Sequence, residues 1–210
     1  MIKAIETQYN GYRFRSRLEA RWAVFFDTAN IRYQYEPEGF VLHDGTRYLP
    51  DFYLPDFEIY VEIKPFNNKI VQYVGDNNEW EQTCRKFRDT TGKAILLCYG
   101  DPSEHYYKRL FAWDISDSSG GSSEWFALFS VYHEKVLLCV YSWSDHFIYI
   151  NDSFEANKYV KTSSQYEDDY LLWDRSINLN YPDCINWDDP LNKAKKAARQ
   201  ARFEYGEVGA

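Results

Sequence analysis

The chain has 210 residues and a mass of 25.1 kDa, enough for one core or for one core with an elaboration. Hydrophobic residues make up 45% and charged residues 27%, which excludes disorder as the dominant state, and no run approaches the roughly 18 apolar residues of a membrane span. A net charge of −8 speaks against a nonspecific nucleic-acid coat, and Cys84, Cys98, Cys139 and Cys184 form no CxxC pair, so neither a zinc ribbon nor a disulfide framework is expected. The first ten residues, MIKAIETQYN, lack an apolar signal core, so the expected location is the cytoplasm.

The first clear element is a helix near 16–29. Ser16 stands as N-cap with Glu19 at capping-box spacing, and Leu18, Trp22, Phe25, Phe26 and Ala29 recur on one face. Short β-type runs follow at 31–35, 39–42, 48–54 and 57–63. His43-Asp44-Gly45-Thr46 reads as a hairpin turn, Pro55-Asp56 as a second turn, and Pro65 as the stop. Residues 31–64 are therefore expected to form an antiparallel meander. A loop is expected over 66–78, then a helix near 79–90 with Asn78 as N-cap and Gly92 as its end. Ala94–Tyr99 (AILLCY) is a continuous apolar run, as in a strand buried on both faces, and a helix between two strands implies a crossover and a mixed sheet.

After Gly100 the character changes. Ser116–Ser123 (SDSSGGSS) reads as a loop, 125–132 and 135–141 as a hairpin, and 147–151 as a further strand. Residues 152–192 are acidic and aromatic and carry no clear pattern. Asn192–Tyr205 is an Ala-rich basic helix, expected to dock through Ala194, Ala197, Ala198, Ala201 and Phe203 with a basic rim exposed. The division that results is a core at 1–100, an acidic β-rich extension at 101–192 packed on it, and a closing helix at 193–210. Charge follows the same division. Residues 1–100 carry 13 Lys/Arg against 14 Asp/Glu, 101–192 carry 6 against 16, and 193–210 carry 5 against 2.

The chemistry concentrates in the first hundred residues. On a strand, Glu62 and Lys64 point the same way while Val61 and Ile63 point into packing. A tight turn at Pro55-Asp56 brings Asp51 beside Glu62, so two carboxylates and one ammonium meet. Paired carboxylates repel unless a cation sits with them, and Mg²⁺ takes one or two carboxylates together with phosphate oxygens. A metal so held polarises a phosphodiester and activates water, and a lysine orients the attacking water or offsets developing negative charge. Glu19 is either an accessory acid or only the capping-box carboxylate. Arg13, Arg15, Arg17 and Arg21 form a cationic flank suited to a phosphate backbone. No Gly-rich phosphate loop, no GxSxG elbow and no HxH or HxxxH spacing points to other chemistry. The abundant Tyr and Trp suit core packing first and base stacking second.

The order Glu19 … Pro50-Asp51 … Glu62-Ile63-Lys64 resembles the PD-(D/E)xK nuclease superfamily. The stretches Phe14-Arg15-Ser16-Arg17-Leu18-Glu19 and Tyr48-Leu49-Pro50-Asp51-Phe52 look most like its transposon-end-cutting branch and related small phage or bacterial nucleases. The resemblance covers about the first half of the chain. It implies a restriction-endonuclease-like α/β (α+β) core of helix, antiparallel meander, helix and strand. It further implies that Asp51, Glu62 and the Ile63 carbonyl hold Mg²⁺, with Mn²⁺ as a substitute, and that Lys64 is the catalytic lysine. Glu19 would be the accessory acid and Gln82, on the following helix, a polar helper, with Lys86 one turn further on. The expected activity is endonucleolytic hydrolysis of DNA, with RNA or branched DNA as alternative substrates. The 101–192 segment could meet a protein partner, a homodimer would let two sites cut both strands, and phage encoding is a leaning. The rival reading is a non-catalytic interaction or anti-defence protein built on the same fold.

Overall fold

The computed structural model describes residues 5–66, 79–103, 108–113, 122–132, 135–141, 146–149 and 190–203. Expectations that fall elsewhere, namely the Asn78 cap, the 66–78 loop beyond Phe66 and the 152–189 stretch, lie outside the described residues.

Asn10 and Gly11 both adopt positive φ (46° and 79°), the conformation a two-residue hairpin turn demands, and they join β1 (Thr7–Tyr9) to β2 (Tyr12–Phe14). This hairpin was not expected, although its Asn-Gly signal stands in the sequence. Helix α1 (Arg17–Thr28) starts where its cap residues place it. Ser16 is extended, and its Oγ accepts the Glu19 N–H at 3.2 Å. After the helix, Asn30 turns left-handed at φ 55°.

The stretch from 31 to 64 is not one meander. The strands β3 (Gln34–Tyr35), β6 (Phe52–Leu54) and β7 (Ile59–Lys64) do pair antiparallel in succession. By contrast β4 (Phe40–Val41) and β5 (Arg47–Tyr48) form a separate two-stranded ribbon around the Asp44-Gly45 turn. The expected 48–54 strand breaks at Leu49-Pro50-Asp51, because Pro50 cannot donate to a ladder. Strand β7 begins two residues late. The Phe57 N–H closes the Pro55-Asp56 turn on the Leu54 carbonyl (3.1 Å), and Glu58 is left-handed at φ 51°.

Helix α2 (Glu79–Thr91) then crosses over to β8 (Ile95–Tyr99), which lies parallel to β7, the direction that a helical crossover produces. Gly92, at φ 71°, ends α2 by donating to the Arg88 carbonyl at 2.8 Å. The strands that follow do not cover this sheet but lengthen it. An unexpected β9 (Lys108–Trp113) pairs antiparallel with β8, then β10 (Ser122–Tyr132), β11 (Lys135–Tyr141) and β12 (His146–Tyr149) follow. The order β12-β11-β10-β9-β8-β7-β6-β3 makes one eight-stranded mixed sheet. Ser122 and Ser123 lie in β10 rather than in the expected loop.

Helix α3 (Pro190–Gln200) starts two residues earlier and ends sooner than its basic pattern suggests. It buries Leu191, Ala194 and Ala198 against α1, with Lys193, Lys196 and Arg199 exposed. The fold is thus mixed α/β, with α1 and α3 on one face of the sheet and α2 on the other. Phe14, Trp22, Phe25, Phe26, Phe52, Val61 and Ile63 belong to the first core, and Tyr60, Cys84, Phe87, Ile95 and Leu97 to the second. Among the described residues no helix is long and apolar enough to cross a membrane.

Candidate active site

Strand β7 supplies two neighbours to the site by alternation. Ile59, Val61 and Ile63 enter the α1 core, which turns Tyr60, Glu62 and Lys64 to the α2 face. Strand β6 supplies the third residue. The register Phe52↔Val61 sets Asp51 opposite Glu62, on the same face because Phe52 packs toward α1. Both carboxylates are buried, Asp51 at 8% and Glu62 at 6% exposure. The sequence thus placed this trio correctly on one face.

Each carboxylate is held. Asp51 Oδ2 accepts the Ile63 N–H at 2.7 Å. Glu62 Oε2 accepts the Tyr48 hydroxyl at 2.7 Å, and Glu62 Oε1 accepts the Lys64 ammonium. Asp51 is steadied from behind as well. Its carbonyl accepts the Glu36 N–H at 2.9 Å, and Glu36 holds a left-handed φ of 44° to deliver it. Burial first, then the adjacent Glu62, pushes the Asp51 carboxyl well above the ordinary range, against the pull of the Ile63 N–H and Lys64. Burial works to lower the Lys64 ammonium, but Glu62 and Asp51 outweigh it and the net displacement is upward. Beneath the group lies Cys84, whose thiol is raised by complete burial and then by Glu62, so it stays protonated.

The backbone contributes one further oxygen. The Tyr60 N–H donates to Ala94 O and the Gly100 N–H to Lys64 O, so even-numbered β7 residues bond toward β8. Odd-numbered residues face β6, as the Ile63–Asp51 bond confirms. The register ends at Phe52↔Val61, and Pro50, which has no N–H, cannot extend it to bond the Ile63 carbonyl. Asp51, Glu62 and that carbonyl make an all-oxygen donor set with an excess of negative charge. Such a set suits a hard divalent cation and could hold one.

Most of the other predicted residues are engaged by partners of their own. Glu19 is buried, and both of its oxygens are engaged. Oε1 accepts the Ser16 hydroxyl at 2.6 Å, while Oε2 accepts the Arg15 N–H at 3.1 Å and the Tyr35 hydroxyl at 2.6 Å. It is near enough to add to the upward push on Asp51. Yet among the described residues no three His, Cys, Asp or Glu side chains converge as a metal group. Gln82 is exposed on α2, two residues before the buried Cys84, and Lys86 is bonded to Asp44 at 2.7 Å.

The arginine row is largely paired. Arg13 meets Glu6, Arg15 Nε meets Glu36 at 2.7 Å, and Arg21 meets Asp101 at 3.0 Å. Arg17 Nε, at the start of α1, is buried without a hydrogen-bond partner among the described residues. Arg21 reaches the sheet end that carries Lys64, because Asp101 follows Gly100, whose N–H bonds the Lys64 carbonyl.

Two residues of the site escaped the sequence reading. Tyr48 and Tyr35 each give a hydroxyl to a site carboxylate, but both stand in short strands where tyrosine reads as packing. The proximity of Tyr48 to the Pro50-Asp51 pair was the only available signal. The chain matches no protein-family model, no curated protein and no solved structure.

Proposed function

We propose that the chain is a metal-dependent endonuclease with a restriction-endonuclease-like core, hydrolysing phosphodiester bonds of DNA. The observation that carries the reading is the burial of Asp51 and Glu62 side by side, with Lys64 as the ammonium set against them. Asp51, Glu62 and the Ile63 carbonyl would hold Mg²⁺, or Mn²⁺ in its place. A divalent cation there supplies Lewis-acid polarisation of the phosphodiester and lowers the pKa of water.

The chain's own residues do the rest. Asp51 and Glu62 are fixed by the Ile63 N–H and the Tyr48 hydroxyl, so the donor set is assembled before substrate arrives. Lys64 carries a full positive charge beside the reacting position, orients the attacking water and offsets charge that develops on the phosphate. Trp80, with its ring centroid 5.9 Å from the Lys64 ammonium, confines that side chain. Arg13, Arg15, Arg17 and Arg21 would meet the phosphate backbone, and Glu19 braces the Ser16 cap at the start of α1.

The test is cleavage of plasmid, linear duplex, single-stranded DNA and RNA with Mg²⁺ or Mn²⁺. Wild type is run beside Asp51→Ala and Lys64→Ala. Metal-dependent cleavage of DNA should fall by about 10²–10³-fold or more in each variant. Cleavage of RNA alone would change the substrate. An inert wild type that also binds no metal would leave a binding protein on this fold.

A further inference from the structure

We propose that Tyr48 is a positioning residue for Glu62, holding one carboxylate oxygen by a neutral hydrogen bond so that the other can serve a divalent cation. The inference rests on the metal-site reading above and deepens it. The two oxygens of Glu62 have donors of different kinds. Oε1 takes the Lys64 ammonium, at the end of a flexible stem whose side chain is 25% exposed. Oε2 takes the Tyr48 hydroxyl at 2.7 Å, and that ring has nowhere to go. It packs edge-on against Phe87 of α2, with centroids 5.6 Å apart, in the cluster that holds Phe40 and Cys84.

The segment bearing Tyr48 is fastened independently of the large sheet. Strands β4 and β5 make no pairing with it, yet Phe40 sits on Phe87 at 5.0 Å and on Tyr60 at 5.3 Å. The His43 N–H reaches Thr90 at 3.0 Å, and Asp44 reaches Lys86 at 2.7 Å. The ribbon is thus bolted to α2 along its length and presents one phenol to one carboxylate.

A carboxylate that receives a cation must keep its orientation while its charge partner changes. An ammonium competes with the cation for the same oxygen, whereas a phenol does not. Lys64 can therefore release Oε1 to the metal and turn toward substrate, while Tyr48 keeps Oε2 and the plane of the carboxylate fixed. A phenol is neutral across the ordinary working pH range, so it remains a donor there. Partners of this kind typically change metal affinity by about 10–100-fold.

The experiment titrates Mn²⁺ and Mg²⁺ against the melting temperature of wild type, Tyr48→Phe and Tyr33→Phe. The last is a control whose hydroxyl goes to Asp27 on the other side of the sheet. The metal midpoint of Tyr48→Phe should rise about tenfold, with little change in the metal-free melting temperature, and the control should match wild type. A midpoint within about twofold of wild type overturns the role of Tyr48 alone, even if the metal-free protein melts earlier. No response of wild type to either metal overturns the metal site and this role with it. Should Tyr48→Phe fail to fold, Tyr48→His, which keeps a ring-borne donor, should bind metal within about threefold of wild type, and a tenfold loss there counts against the proposal.

Discussion

Strand β7 belongs to two different environments at once. Toward α1 it offers Ile59, Val61 and Ile63 to an aromatic core of Phe14, Trp22, Phe25, Phe26 and Phe52. Toward α2 it offers Tyr60, Glu62 and Lys64, and there two buried carboxylates and a buried thiol meet a half-buried ammonium and phenol. The first face can be close-packed because its side chains are apolar apart from the Trp22 indole N–H, which donates to the Gly100 carbonyl at 2.9 Å. The second is costly by itself, since burying two like charges opposes folding. The difference teaches that the α1 face secures the strand on which the α2 face can hold its charge.

The largest effect should come from breaking the secure face. Phe52 is fully buried between Phe26 and Tyr35 and sits next to Asp51 in sequence. Phe52→Ala should cost about 3–5 kcal/mol in denaturant unfolding, and metal-linked stabilisation should weaken with it. The same change on a face that merely rested on the site would leave that stabilisation intact.

The charged face should respond with the opposite sign. Asp51→Asn keeps an oxygen for the Ile63 N–H and removes one of two buried like charges, so the metal-free protein should gain roughly 1 kcal/mol while its metal response disappears. The pH dependence follows from the raised Asp51 carboxyl. The native state favours the protonated form, so its contribution is most favourable below the ordinary carboxylate range near about pH 4. Stability is lost as pH rises from there through the raised native value. Thermal melts without metal should show this loss in wild type and a flatter profile in Asp51→Asn.

A smaller effect separates the cap from the chemistry. Ser16→Ala removes the acceptor of the Glu19 N–H and should cost about 1 kcal/mol by chemical denaturation. The metal midpoint should not move, because Glu19 is engaged by Ser16, Arg15 and Tyr35 rather than by a cation. The smallest effect belongs to the surface. Arg13 and Glu6 are both largely exposed, so Arg13→Ala should change stability by less than about 0.5 kcal/mol, while binding of duplex DNA, measured across salt concentrations, should lose part of its salt dependence.

Much of this arrangement follows from local pattern. Ser16 and Glu19 mark the start of α1, Gly92 ends α2, and the AILLCY run becomes a strand buried on both sides, because capping, positive φ and apolar continuity act over a few residues. Alternation along β7 alone aims Glu62 and Lys64 together, and the Pro55-Asp56 turn sets the register that puts Asp51 opposite Glu62. The sequence therefore determined the trio. Only the tertiary structure decided what surrounds it. Pro50 interrupts the expected long strand and leaves β4 and β5 as a separate ribbon, and that ribbon carries Tyr48 to Glu62. Tyr35 reaches Glu19 from an edge strand, the arginines find Glu6, Glu36 and Asp101, and β9–β12 widen the sheet instead of covering it. These are contacts between segments distant along the chain, fixed by packing and by the need of buried polar groups for partners, and no local periodicity encodes them.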